Sequence, residues 1–274
     1  MTRPEVGALQ AALNGTRGPG ESAAVPREPV ALAEAAAEAV AAGADEVRLR
    51  PRTPCGAGSL SPRVVGPALA AVRECVRVPV SVPVDVWAEA DPRRRVARIL
   101  SWEFLPDLAC VTWHEPGAEE VAEALLARGV AVEAGLRAGT AGPALFARSP
   151  LAGRVLRIVA EVPDAGAGPW AHAPGARHGE VLAPGAGHGE VTVLGARLDA
   201  VPVMLCGTGA AAWPALRLAR RLAVSARIGL EDTLLLPDGS RARSTAEQIR
   251  AALSDGPEGP WDLSPHPSPR RTGG

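Results

Sequence analysis

The sequence contains no lysine and no tyrosine, and all 29 of its basic residues are arginine. The lack of lysine excludes Schiff-base enzymes, a pyridoxal phosphate anchor and P-loop ATPases, because each of these needs a lysine amine. The lack of tyrosine excludes a phenol as general acid. The four cysteines form no C-x-x-C pair, so the sequence predicts neither a zinc knuckle nor a disulfide framework.

Net charge is also nearly absent, with a formal value of −1 at pH 7. Such a balance gives no indication of nucleic acid or an anionic membrane as partner. The sequence shows no signal-peptide pattern and no apolar run of membrane-spanning length, and we therefore expect a cytoplasmic protein. With 274 residues, 47% of them hydrophobic, the chain is long enough to bury a large core.

The sequence does contain a regular alternation of strand-like and helix-like segments. Between the apolar strand-like runs, longer segments carry apolar residues at helical spacing, and each is long enough to return the chain for a parallel strand. This predicts a single-domain (β/α)8 barrel over residues 1–254. A doubly wound open sheet is the alternative, but no Gly-rich dinucleotide loop follows the first strand. The predicted strands are 6–13, 46–50, 78–84, 108–113, 130–134, 155–162, 202–206 and 226–230.

Two regions depart from this alternation. Residues 163–200, where the sixth helix is expected, contain a near-duplicate rich in Gly and Pro, which predicts a low-complexity insertion or a degenerate helix. The three histidines in this region, His172, His178 and His188, invite a metal site, but mobile histidines without fixed geometry make poor ligand sets. Residues 255–274 hold five prolines and are predicted to form a disordered tail.

Residues 227–239 read R-I-G-L-E-D-T-L-L-L-P-D-G and place Glu231 and Asp232 at the end of the last predicted strand. Arg227 lies four residues before Glu231. Taken alone, such an acidic pair is as often a solvated turn as a functional site. Its position favours a site, because parallel barrels carry their chemistry at the carboxyl ends of the strands.

The predicted strand ends, taken in chain order, carry seven distinctive segments. They are L-N-G at 13–15, R-L-R-P-R at 48–52, P-V-D-V-W at 83–87, V-T-W-H-E-P-G at 111–117, E-A-G-L at 133–136, C-G-T-G-A-A-A-W-P at 206–214 and the stretch 227–239. In this order and at these spacings the segments resemble the β-keto acid cleavage enzymes, the family that includes the 3-keto-5-aminohexanoate cleavage enzyme. The resemblance covers roughly residues 13–249, and the stretch 227–239 is its most specific part.

The resemblance implies a zinc-dependent barrel enzyme, commonly a homo-oligomer, that uses acetyl-CoA as co-substrate. Such enzymes cleave a carbon–carbon bond of a β-keto acid by a Claisen and retro-Claisen sequence, giving acetoacetate and a new acyl-CoA. By resemblance Glu231 is a zinc ligand, Asp232 a base and Arg227 the arginine that supports them, and all three are candidate catalytic residues. Glu133 matches a glutamate at the rim of the substrate pocket.

The chain departs from the family at several of these strand ends. The two zinc-binding histidines of the family are replaced by Arg48 and Arg50, which have no lone pair to offer a metal. Thr112 stands in the place of a family asparagine, the family's S-T-G is P-V-D at 83–85, and its H-G-E-G is C-G-T-G at 206–209.

We therefore hypothesise that Arg48 and Arg50 pair with Glu231 and Asp232 and fill the place of zinc. Arg48, Arg50, Glu133 and Thr112 are then the candidate substrate-binding residues, and a small organic acid or an acyl-CoA is the expected ligand. Three functions stay open: an enzyme of the family's type, an inactive relative that binds an organic acid, an acyl-CoA or a partner subunit, and a different metal-free lyase.

Overall fold

The computed structural model describes residues 7–18, 20–164 and 201–255, together with the backbone of 182–184, 191–193 and 196–197. Eight parallel strands form a closed barrel, in which the first strand pairs with the last. The predicted (β/α)8 fold is confirmed. The barrel strands are β1 (Leu9–Ala12), β2 (Glu46–Arg48), β3 (Val80–Pro83), β4 (Leu108–Thr112), β5 (Ala131–Arg137), β6 (Arg157–Val162), β10 (Val203–Gly207) and β11 (Ser225–Ile228).

Seven described helices pack around this barrel, and local signals explain where several begin. A proline starts each of the first three helices, where the missing backbone N–H costs nothing. Asp91 caps the third helix and Ser244 caps the last by accepting backbone N–H bonds. The helices are α1 (Pro29–Ala41), α2 (Pro62–Cys75), α3 (Pro92–Leu100), α4 (Ala118–Ala127), α5 (Gly142–Ala147), α6 (Ala212–Arg221) and α7 (Thr245–Ser254).

The region predicted to replace the sixth helix contains β7 (Leu182–Pro184), β8 (Val191–Val193) and β9 (Ala196–Arg197). These three strands form a separate antiparallel sheet. The rest of 165–200, including the three histidines of the duplicate, lies outside the described residues. The same holds for 256–274, so the predicted tail stays a prediction.

A buried polar network fills the amino-terminal part of the barrel interior. Arg157 on β6 donates to Glu46 on β2 and to Glu133 on β5, with an Nε–Oε1 distance of 2.9 Å to Glu133. Ser81 donates to Glu133, and Gln10 donates to Glu46 over 3.1 Å. Buried charges need such partners, because an unpaired charge in a low-dielectric interior is strongly destabilising.

The apolar core lies between the barrel and the surrounding helices, and it includes fully buried residues such as Leu32, Leu69 and Val121. The carboxyl ends of all eight strands meet at one end of the barrel, which is where this fold carries its sites. No described helix combines the length and the apolar character that crossing a membrane requires.

Candidate active site

A cavity of about 530 Å³ opens at the carboxyl ends of the barrel strands. Its wall combines guanidinium and carboxylate groups that lie far apart in the sequence and meet only in the barrel. Arg48, Arg50, Thr112, Arg227, Glu231 and Asp232 all line it. The structure therefore brings together six of the seven predicted site residues.

The carboxylate of Glu231 lies between the two arginines at the end of β2. Arg48 Nε donates to both of its oxygens, over 3.3 and 3.2 Å, and Arg50 Nε lies 3.5 Å from Oε1. The second contact of Arg50 runs from Nη1 to Asp85 Oδ2, over 2.6 Å. The hypothesised pairing with the two arginines is thus observed for Glu231, and Asp85 is a further partner that the sequence did not indicate.

This arrangement fixes the charge of Glu231. Burial alone raises the pKa of its carboxyl, but Arg48, Arg50 and Arg227 outweigh burial and lower the pKa to about 2. The carboxylate is therefore ionised at every pH at which the protein is expected to work.

Asp232 does not pair with Arg48 or Arg50, which corrects the second half of the hypothesis. It accepts three hydrogen bonds from Arg227, two from Nε over 3.2 and 3.3 Å and one from Nη2 over 2.7 Å. The reason is a tight turn after β11: the backbone N–H of Asp232 bonds Gly229, so the side chain folds back onto its own strand. Burial raises the pKa of Asp232, and Arg227 offsets only part of this effect.

Two close backbone approaches place this turn against the first strand. A Cβ on Gly229 would lie 1.9 Å from the carbonyl oxygen of Ala12, and a Cβ on Gly15 would lie 2.6 Å from Glu231 Cγ. Gly15 also has a φ of 55°, which favours glycine.

Beside Gly15, the Asn14 amide exchanges two hydrogen bonds with the backbone of Arg50, of 3.0 and 2.9 Å. The L-N-G segment thus positions both halves of the ion pair.

Residues 8–134 and 185–254, which make up more than half of the chain, match the family described as beta-keto acid cleavage enzyme. The chain belongs to the β-keto acid cleavage enzyme family. Among curated proteins, none matches the chain.

Solved structures of ObcA share the fold with this family member. The binary complex of ObcA with oxaloacetate superposes with a TM-score of 0.59 at 14% identity, covering 85% of this chain and 63% of that one. The ternary complex of ObcA with a C4-CoA adduct and oxalate gives 0.61 at 14% identity, covering 85% and 64%. This chain therefore spans less than two thirds of the ObcA chain, and at such identity the likeness concerns the fold alone.

The side chains at this place do not fit the zinc ion that the family resemblance implies. Of the three positions that hold zinc ligands in the family, only Glu231 has a side chain that can coordinate a metal. Its two oxygens already accept hydrogen bonds from Arg48. Burial lowers the pKa of Arg48, but its anionic surroundings, Glu231 first among them, more than compensate, so the net pKa is raised and the guanidinium stays charged. Among the described residues, no three His, Cys, Asp or Glu side chains are grouped to hold a metal.

Glu133 is not at the rim, where the family resemblance placed it. Its side chain is fully buried and is held by Arg157 and Ser81 in the barrel interior. Gly135, two residues further along β5, lines the cavity instead. Successive same-face residues of a barrel strand fall in different layers, and Glu133 lies one layer too deep to face the cavity.

Five further cavity residues were not among the predicted site residues: Asp85, Trp87, His114, Arg137 and Glu161. Glu161 had the clearest signal, since it is the one acid in the apolar strand R-I-V-A-E-V and lies next to its end. Asp85, Trp87 and His114 lie in segments that match the family, and Arg137 is the last residue of β5, but no pattern in the sequence marks any of the four as a cavity residue. Burial lowers the pKa of His114, and Arg137 lowers it further, so this imidazole is neutral at pH 7.

Trp87 forms the wall of the cavity beside the ion pair. The indole lies 5.7 Å from the Arg50 guanidinium carbon and 5.2 Å from that of Arg52, which are cation–π distances. It rests on Gly58, where an added Cβ would lie 2.2 Å from the ring. The Arg50 guanidinium therefore contacts both the Trp87 ring and the Glu231 carboxylate.

Replacing this glycine tests the contact. Gly58→Ala is expected to push the indole outward, shift tryptophan emission to longer wavelength and reduce the unfolding free energy by about 1 kcal/mol. Gly153→Ala is the control, because nothing lies within 4 Å of its added Cβ. Tryptophan fluorescence gives the emission wavelength of both variants, and urea unfolding gives their unfolding free energies. The same emission and the same stability in both variants would contradict the contact of Trp87 with Gly58.

Proposed function

We propose that the cavity binds a small β-keto acid without a metal ion, with guanidinium groups taking the place of the family's zinc. The observation that carries this proposal is Arg48 Nη1, a buried donor with no hydrogen-bond partner among the described residues, in a side chain that lines the cavity. A buried donor left without an acceptor is costly, which supports a ligand oxygen as its partner.

The charge of the arginine pair supports the same proposal. Two guanidiniums in place of two neutral imidazoles and a dication leave the formal charge near +2, and Glu231 offsets part of it in both arrangements. An arginine can hold a carboxylate or hydrogen-bond a keto oxygen, but it polarises a carbonyl less than zinc does. Binding is therefore better supported than cleavage.

A second candidate function is the full family reaction, cleavage of a β-keto acid with acetyl-CoA to give acetoacetate and an acyl-CoA. The observation that favours it is the raised pKa of Asp232, whose first cause is burial, because a carboxylate with a raised pKa is a better base. Arg227 holds that carboxylate at 2.7 Å and orients it. The cytoplasmic location and the homo-oligomeric state stay predictions from the sequence.

Calorimetric titration with acetoacetate tests the binding proposal. We expect saturable binding of one ligand per chain, weakened about tenfold by Arg48→Lys, which keeps a charge beside Glu231 but removes the forked Nη1 donor. Arg63→Lys, on the exposed side of α2, is the matched control and is expected to bind as the unchanged protein does.

Two results would contradict the proposal: no saturable binding by the folded protein, or the same affinity in Arg48→Lys and the control. Formation of a new acyl-CoA from acetyl-CoA and longer β-keto acids, followed by mass spectrometry, separates the two candidates. Acyl-CoA formation that is lost in Asp232→Asn supports cleavage. Binding without acyl-CoA formation supports the inactive relative.

A further inference from the structure

We propose that Glu161 sets the ligand specificity of this cavity: it accepts a hydrogen bond from a donor at the far end of a β-keto acid and rejects a second carboxylate. The inference rests on the proposed binding function and adds a substrate class to it.

Glu161 differs from the two acids of the ion-pair cluster in its exposure. Its side chain is 27% exposed, whereas that of Glu231 is 9% exposed and that of Asp232 is fully buried. All three line the same cavity. Glu161 is thus the acid of these three whose oxygens a ligand can reach without rearrangement.

The oxygens of Glu161 also retain their capacity to accept hydrogen bonds. Glu231 accepts from Arg48 and Asp232 accepts from Arg227 at hydrogen-bond distance. Glu161, in contrast, faces Arg137 Nε over 3.7 Å and Arg227 Nη2 over 3.9 Å, both longer than a hydrogen bond. Among the described residues no donor makes a hydrogen bond to this carboxylate. The distances to the two arginines are long enough for a water molecule or a ligand hydroxyl to lie between the charged groups.

Position then determines which end of the ligand meets Glu161. The guanidinium of Arg48, with its unused donor, and that of Arg50 lie at the end of β2. Glu161 lies on β6, which is on the opposite side of the barrel from β2. A ligand whose carboxylate is held at β2 extends its other end toward β6. A hydroxyl or N–H there gains an acceptor, and a carboxylate there meets the like charge of Glu161 and competes with it for Arg137 and Arg227, which already lie beside Glu161 as its counter-ions.

Three ligands that differ only at this far end provide the test. Acetoacetate ends in a methyl group, 4-hydroxy-3-oxobutanoate ends in a hydroxymethyl group, and oxaloacetate ends in a carboxylate. Calorimetry on the unchanged chain is expected to give the tightest binding for the hydroxy acid and at least about tenfold weaker binding for oxaloacetate than for acetoacetate.

Glu161→Gln keeps the size of the side chain and removes its charge. This variant is expected to bind oxaloacetate about tenfold more tightly than the unchanged chain does, with acetoacetate altered by less than about twofold. Glu38→Gln, on the exposed face of α1, makes the same change in net charge away from the cavity and is expected to leave all three affinities unchanged.

The outcomes separate this inference from the function on which it rests. If the unchanged chain binds none of the three acids, the binding function and the specificity both fail. If it binds them with equal affinity, or if Glu161→Gln alters all three affinities by the same factor, the binding function stands and the role of Glu161 is refuted.

Discussion

Replacing both arginines at the end of β2, as Arg48→His with Arg50→His, is expected to create a site that binds about one zinc ion per chain. The two positions are alternate residues, and both side chains reach the carboxylate of Glu231 in the structure. Imidazoles there supply the lone pairs that guanidiniums lack, and with Glu231 they complete a set of three protein ligands. Metal analysis after dialysis measures the stoichiometry, and a zinc-dependent rise in the melting temperature measures binding to the folded state.

The control for this result is the same double variant with Glu231→Gln added, which removes the carboxylate ligand and is expected to lose the zinc. The unchanged chain serves as the reference. Equal zinc content in the unchanged chain and the double variant, or a folded double variant with no zinc, would show that the arginines do not occupy the place of the metal.

Arg157→Met is expected to reduce the unfolding free energy by about 3–5 kcal/mol, because it leaves Glu46 and Glu133 buried without their shared cation. In the unchanged chain burial raises the pKa of Glu133, but Arg157 and Arg48 outweigh burial and lower it. Ionised Glu133 therefore stabilises the fold above its unfolded-state pKa, and this contribution is lost as the pH falls. Without Arg157, burial is expected to raise the pKa of Glu133, so that the ionised carboxylate destabilises the fold. Protonation removes this penalty, and the loss of unfolding free energy in the variant is therefore expected to shrink as the pH is lowered from 7 to 5.

Urea unfolding at the two pH values measures both the loss and its pH dependence. Arg217→Met is the control, since its partner is Asp255 in an exposed pair, with side chains 47% and 28% exposed. Such a pair contributes about 0–1 kcal/mol. A loss in Arg157→Met no larger than in the control, or one that grows toward low pH, would contradict the buried-network interpretation.

The alternation of strands and helices was readable from the sequence because hydrophobic periodicity reports which faces are buried. The pairing of Glu231 with Arg48 and Arg50 was also predictable, since family positions and strand alternation place all three at one end of the barrel. Asp232 and Glu133 show the limit of this reasoning. Which arginine Asp232 meets depends on a turn at Gly229, and the depth of Glu133 depends on barrel register.

The cavity residues Trp87 and Glu161 illustrate a second limit. The role of Trp87 depends on the space above Gly58, and that of Glu161 on ion-pair distances to Arg137 and Arg227. No spacing within the sequence encodes either quantity, because the partners come from separate strand ends. Such features are properties of the assembled barrel.

The contact of Arg48 with Glu231 joins residues 183 positions apart, the second strand and the turn after the last. Bringing together residues so far apart in the chain is slow, and the Glu231 carboxylate cannot reach Arg48 until β11 pairs with β1. We therefore expect a chain emerging during synthesis to keep Arg48 and Arg50 in water until β11 has been made. The ligand cavity is then the last part of the molecule to be completed. We therefore expect Glu231→Gln to accelerate unfolding more than it slows folding, as measured by stopped-flow unfolding and refolding in urea.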